Sequence, residues 1–247
     1  MNRDGVVSPT RPSERVGAGG SKGRGSARRL TAWSLALLSL SVASAAHSSD
    51  LARALDPYRE LARTDGGGRL LAMARATMER AFTNAAGPDS AASAPDWPGP
   101  PAGVFVSLVD GPATRACVGS AVPLGGTLAE TLRGLATRAL SSDPRHAPVR
   151  HEELGRLRIV IAFAGPSEPV SDPMHVNPSR DGLLITTSRG SVAFLPGEAR
   201  TISWALREAR RIGVLQGSRS DAAYQRFPVV ALREPPPPRP ERPDAPE

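Results

Sequence analysis

A single cysteine, Cys117, occurs in 247 residues, so no intrachain disulfide and no cysteine-based metal site can be assembled, and packing must hold whatever folds. Aromatic residues amount to 4% and do not interleave with arginine, which removes the stacking platform that single-stranded nucleic acid requires. The glycines form no GxGxxG or P-loop spacing, and no Gly-x-Ser-x-Gly elbow follows a strand. His146 and His151 lie in a proline-containing loop and His175 is distant; with no HxH or HxxxH pair among them, neither a metal nor another cofactor is expected.

A one-sided charge is also missing once the formal +7 is divided along the chain. Residues 1–46 hold seven Arg and Lys against Asp4 and Glu14, leaving the remainder at +2. The basicity belongs to the leader rather than to a phosphate-binding stripe, and nucleic acid is not an expected partner.

That leader has a recognisable plan. A polar, basic stretch to Arg29 precedes Leu30 to Ala46, 17 residues without a charged side chain that end in Ala43-Ser44-Ala45. This is the order of a charged n-region, an apolar h-region and a small-x-small cleavage site, so residues 1–46 are expected to be a signal peptide and the mature chain to begin near His47. A spanning helix wants roughly 20 strongly apolar residues. Export to the periplasm or exterior is therefore the expectation, with an uncleaved, membrane-anchoring leader as the alternative, the one route by which membrane would be a partner.

Proline and glycine are concentrated before Gly103 and after Arg233. The reading is an N-terminal segment 47–68, a folded domain 69–233 containing a linker over 85–101 in which Trp97 is the one candidate anchor, and a disordered, polyproline-type tail 234–247. Within the domain, Arg69 to Phe82 has helical periodicity, placing Leu70, Leu71, Ala74 and Met78 on one side and Arg75 on the other. Val104–Val109 and Thr114–Val118 read as a hairpin about Asp110-Gly111-Pro112. Thr127 and Glu130 make a capping box for a helix carrying Leu128, Leu132, Leu135 and Ala139, and Asp143-Pro144 ends it. Leu157 to Phe163 alternates as a strand with one apolar face, and Leu183–Thr187 with Val192–Leu195 forms a second hairpin. Thr201 to Ile212 is a helix stopped by Gly213, with a solvated face of Arg207, Arg210 and Arg211, and Phe227–Leu232 is one last strand. Hairpins separated by helices argue for an α+β fold with a mostly antiparallel sheet.

Several segments, in one order, resemble the AMMECR family, also called AmmeMemoRadiSam system protein A. Gly103-Val-Phe-Val-Ser-Leu-Val-Asp-Gly with Thr114-Arg-Ala-Cys-Val-Gly119 resembles "GVFVTL…G…LRGCIG". Asp143-Pro-Arg with Pro148-Val149 and Glu152-Glu-Leu resembles "DPRFPPVTPEEL", and Asp181-Gly-Leu-Leu-Ile with Leu195-Pro196 resembles "HGLII…LLP". The resemblance implies two unequal lobes around an antiparallel sheet, with the LRGCIG-like segment beside the groove between them. It delivers no reaction, and it implies association with a Memo-type protein and a radical-SAM protein, which sits badly with export because radical-SAM chemistry belongs to the reducing cytosol. Thr114, Ala116, Asp181, His146 and Ala209 depart from the family pattern, and a methyl at a position tuned for glycine argues against close ligand approach at Ala116.

Two functional readings follow. In one, Arg115, Cys117 and Arg145 line the groove of a binding or accessory module and hold a small anionic ligand or a partner's peptide. In the other, Cys117 is the catalytic nucleophile or redox centre of a thiol-dependent enzyme, its thiolate favoured by Arg115 on the same face of an extended strand. The bland reading of Cys117 is a small buried hydrophobe, and that of Arg145 is pairing with Asp143 or a helix end.

Overall fold

The computed structural model describes residues 53–83 and 96–236. The expected signal peptide, the start of the mature chain, most of the 85–101 linker and the tail beyond residue 236 lie outside the described residues. Among the described residues no helix is long and apolar enough to cross a membrane.

Two helices open the domain, α1 (Asp56–Arg63) and α2 (Asp65–Thr83). Leu55, Tyr58 and Leu61, one turn apart, bury the inner face of α1, and the Tyr58 ring centre lies 4.5 Å from that of Phe163. α2 begins four residues before the periodicity predicts. Gly66 packs against Leu61 and Gly67 against the Leu61 carbonyl and Leu232, where a Cβ would be tight at 3.0 and 3.2 Å, and this packing offsets the poor helix propensity of glycine. Arg75, expected on the solvent side, bridges the Leu154 and Leu157 carbonyls (2.8 and 2.7 Å) and pairs with Glu234, whose carboxylate also accepts the Ile159 N–H. The first residue of the expected tail is thus fastened to the domain. Trp97 packs edge-on to Tyr58 and donates to the Gly126 carbonyl, so the linker is anchored where expected.

The first sheet, in the order β2-β1-β3-β8, comprises β1 (Gly103–Asp110), β2 (Ala113–Ser120), β3 (Arg158–Ala164) and β8 (Val229–Arg233). The second, in the order β4-β7-β5-β6, comprises β4 (Glu168–Pro169), β5 (Gly182–Thr187), β6 (Gly190–Phe194) and β7 (Ala223–Phe227). All pairings are antiparallel. Helix α3 (Leu128–Ala139) carries both halves of the predicted capping box. The single-turn helix α4 (His151–Leu154) and α3 complete the layer over the first sheet, and α5 (Ile202–Arg211) covers the second.

The result is an α+β molecule of two unequal lobes, the first sheet with α1 to α4 and the second with α5. Three apolar clusters hold it: one under α1 to α4, one under α5, and a thin one between the sheets made of Phe105, Cys117, Ala162, Ala164, Leu195 and Phe227. Two further expectations change. β3 is buried on both faces, because Ile159, Ile161 and Phe163 meet the helices while Ala162 and Ala164 meet the second sheet. The expected last strand is two strands, β7 and β8, parted by Pro228, which lets the chain leave one sheet and enter the other.

Candidate functional site

Successive residues of β2 face opposite ways. Ala116 and Val118 enter the helix-covered core, whereas Cys117 enters the layer between the sheets. The methyl of Ala116 therefore points away from the inter-sheet side. The register of β1 and β2 slips between Leu108 and Val109, which leaves Arg115 without a partner in the ladder. This bulge turns Arg115 aside. Its guanidinium donates to both carboxylate oxygens of Glu153 (2.9 and 3.2 Å) and to the carbonyls of Ala147 and Pro148 (2.9 and 3.1 Å). Hydrogen bonds from Arg115 and from the Arg150 N–H pull the Glu153 carboxyl down to about 2. Arg115 thus serves α4 and its approach loop, not the neighbourhood of Cys117.

Arg145 is brought to Cys117, together with two carboxylates. It sits in the loop after α3, 5% exposed, and donates through Nε and Nη2 to the two oxygens of Asp143 at 3.0 Å, through Nη1 to Glu198, and through Nη2 to the Cys117 carbonyl at 3.4 Å. Asp143, 3% exposed, also accepts the backbone N–H groups of Cys117 (2.8 Å) and Arg145 (2.9 Å), and His146 Nδ1 lies 3.2 Å from its Oδ2. Burial works to raise the Asp143 carboxyl, but the hydrogen bonds and charge of Arg145 outweigh it and hold the group at about 2. Desolvation opposes the Arg145 cation, yet Glu198 and Asp143 raise its pKa further above the ordinary value. The guanidinium also stands 5.9 Å from the ring centre of Phe194. Neither Asp143 nor Glu198 was legible as a partner of Cys117. The Asp-Pro dipeptide reads as a helix stop, and Glu198 lies 53 residues from Arg145 along the chain.

Cys117 itself is 7% exposed. Burial first, and the charges of Glu198 and Asp143 beyond it, push its thiol up to about 12 against the opposing pull of Arg145. The histidines are scattered: His146 beside Asp143, His151 stacked on Phe82 at 5.1 Å, His175 in a short turn at Pro173–His175. Among the described residues no group of three or more His, Cys, Asp or Glu side chains is placed to hold a metal ion.

Beside this cluster lies a groove of about 450 Å³, within the size range of small-molecule sites. One wall is the β2 edge from Cys117 to Val122 with Arg138 and the Ser142–Arg145 loop; the other is Ser191 to Ala193 of β6 with Ile212 and Val214. Phe105 and Leu184 add apolar surface. Arg138, which no sequence signal singled out from the other helix-end arginines, is exposed at the mouth, and its guanidinium forms no hydrogen bond or ion pair among the described residues.

A model of the AMMECR1 family matches residues 71–228, well over half of the chain. The chain belongs to the AMMECR1 family. A protein of Thermotoga maritima is 35% identical over 86 residues, 34% of this chain and 49% of its own length, and one of Methanocella arvoryzae is 35% identical over 91 residues, 34% of this chain and 46% of its own. The chain thus spans about half the length of these two curated relatives. A Methanothermobacter thermautotrophicus protein is 30% identical over 160 residues, 61% of this chain and 81% of its own. The fold is shared with the crystal structure of an uncharacterised protein from Pyrococcus horikoshii, with a TM-score of 0.54 and 24% identity over 70% of this chain and 93% of that one. The family's function is uncharacterised.

Proposed function

We propose that this AMMECR1 domain is a binding or accessory module whose inter-lobe groove receives a ligand with an apolar body and one anionic group, in preference to a thiol-dependent enzyme. The observation that carries this reading is Arg138. Arg115 and Arg145 are each engaged by carboxylates, whereas the Arg138 guanidinium, among the described residues, stands unpaired at the mouth of a groove lined by Phe105 and Leu184. A cation left free beside apolar surface suits a carboxylate on a hydrophobic body. Arg145 acts here by fixing the wall rather than by touching the ligand. The thiol reading loses support because a buried Cys117 flanked by two carboxylates stays protonated near neutral pH.

Octanoate and benzoate are suitable probes. Titrated into the isotope-labelled protein, they should perturb the amide signals of Gly119, Val192 and Ala193, and Arg138→Ala should weaken the effect about tenfold, the worth of one charged hydrogen bond. Absence of any change at concentrations of about 10 mM rejects the reading. In parallel, iodoacetamide should label Cys117 no faster at pH 8 than expected for a thiol well above the ordinary range; rapid labelling near neutrality restores the enzyme alternative.

We also propose that the chain is exported, on the strength of the leader composition alone. Amino-terminal sequencing of protein from its native host should begin near His47. An intact Met1 in the cytosolic fraction overturns export and restores the Memo-type and radical-SAM proteins as candidate partners, and an intact leader in the membrane fraction indicates anchoring.

A further inference from the structure

The groove is bordered by two strand edges. Among the described residues β2 has a single neighbour, β1, and β6 has a single neighbour, β5, and both contribute lining residues. In an antiparallel ladder, residues alternate between those that exchange both backbone hydrogen bonds with the facing residue and those that exchange neither. Cys117, opposite Ser107, sends its N–H to Asp143 and its carbonyl toward Arg145, so it belongs to the second kind. Two residues on, Gly119 faces Phe105 in the same phase. Its N–H and C=O consequently point off the sheet edge. Among the described residues no side chain does for Gly119 what Asp143 and Arg145 do for Cys117.

Gly119 is exposed and lines the groove. It has no side chain to hold a ligand away from this backbone pair. An edge of this kind is a template for another strand. The Asp143–Arg145 loop caps the edge at Cys117 and so sets where an added strand must stop. Arg138 supplies the charge.

Resting on the binding reading above, we infer that the occupant is an extended peptide segment that pairs with Gly119 as an added strand and sets a carboxylate against Arg138. The peptide lies between β2 and the Ser191–Ala193 stretch of β6, with alternate side chains toward Phe105 and Leu184 and toward solvent. The carboxylate is either a free chain terminus or an Asp or Glu side chain.

The test uses the full, isotope-labelled chain with a positional-scanning library of acetylated tetrapeptides, each made with a free carboxyl terminus and as a carboxamide. The best peptide should bind with Kd below about 1 mM and slow hydrogen exchange of the Gly119 amide about tenfold at saturation. Methylating the peptide nitrogen that faces Gly119 should weaken binding by at least about tenfold, and Arg138→Ala should do the same. Loss of affinity in every carboxamide lacking Asp or Glu assigns the charge to the terminus; retention in acidic carboxamides assigns it to a side chain, and either supports the proposal. Octanoate binding without any peptide that protects Gly119 overturns the strand while leaving the anion reading intact. Failure of both probes overturns both. Because methylation alters the ligand and not the fold, the outcome does not depend on a Gly119 variant.

Discussion

Asp143 satisfies more partners than any other side chain in the buried cluster: two backbone N–H groups, Arg145, and the ring nitrogen of His146. Its replacement by Asn keeps the shape and removes the charge that neutralises Arg145. Asp143→Asn should therefore cost about 3 to 5 kcal/mol in urea denaturation at pH 7, as breaking a buried ion pair does. The pH dependence follows from the depressed carboxyl. A group held at about 2 in the folded state, against an unfolded value near 3.8, contributes stability that is complete above pH of about 4 and is lost as pH falls toward 2. The wild type should lose that share across this window and the variant should not; equal stability of the two at pH 7 would reject the account. Arg145 was legible in the sequence because its carboxylate partner is two residues away, and Cys117 because it is unique. The wider cluster was not, since the residue types at Asp143 and Glu198 have ordinary local explanations and only the folded chain brings them together.

Glycine makes the case at the level of elements, because the same substitution has opposite consequences in two places. A Cβ on Gly119 would lie 2.2 Å from the Val104 carbonyl oxygen and 2.5 Å from the Phe105 Cα, so the β1–β2 ladder must open to admit it. Gly134 lies inside α3, exposed, with nothing within 4 Å of the corresponding position. Gly119→Ala should destabilise by about 1 to 3 kcal/mol through overpacking, and Gly134→Ala should stabilise by about 1 kcal/mol through helix propensity. A thermal melt of each reads both signs, and destabilisation by Gly134→Ala would mean that α3 is held by something other than its own propensity and its buried leucine face. Thr127→Ala, which dismantles the capping box, should cost about 1 kcal/mol in the same assay. The cap, the hairpins and the α5 stop at Gly213 were readable because each is a local contest between neighbouring residues. The bulge at Arg115 and the change of sheet at Pro228 were not readable, because each is decided by the partner strand.

Among the described residues the two lobes meet through a layer of only six buried side chains, half of them small, Ala162, Ala164 and Cys117, with Phe105, Leu195 and Phe227 as its larger members. Such a layer buries little apolar area per residue, which leaves the ion cluster a large part in coupling the lobes. Arg145 comes from the helical lobe and Glu198 from the turn after β6, and the second oxygen of Glu198 accepts the Leu195 N–H at 3.0 Å. Glu198→Gln retains shape and an acceptor but surrenders the charge opposite Arg145. Its effect should be confined to the smaller lobe: amides of Leu183 and Ile185 in the second sheet should exchange at least about tenfold faster, while those of Val106 and Ile161 in the first sheet keep their protection. The groove walls come from both lobes, so the variant should also weaken octanoate binding without altering Arg138. Equal acceleration in both sheets would instead show one cooperative unit in which Glu198 adds stability everywhere, and the ion cluster would then have no special part in setting the width of the groove.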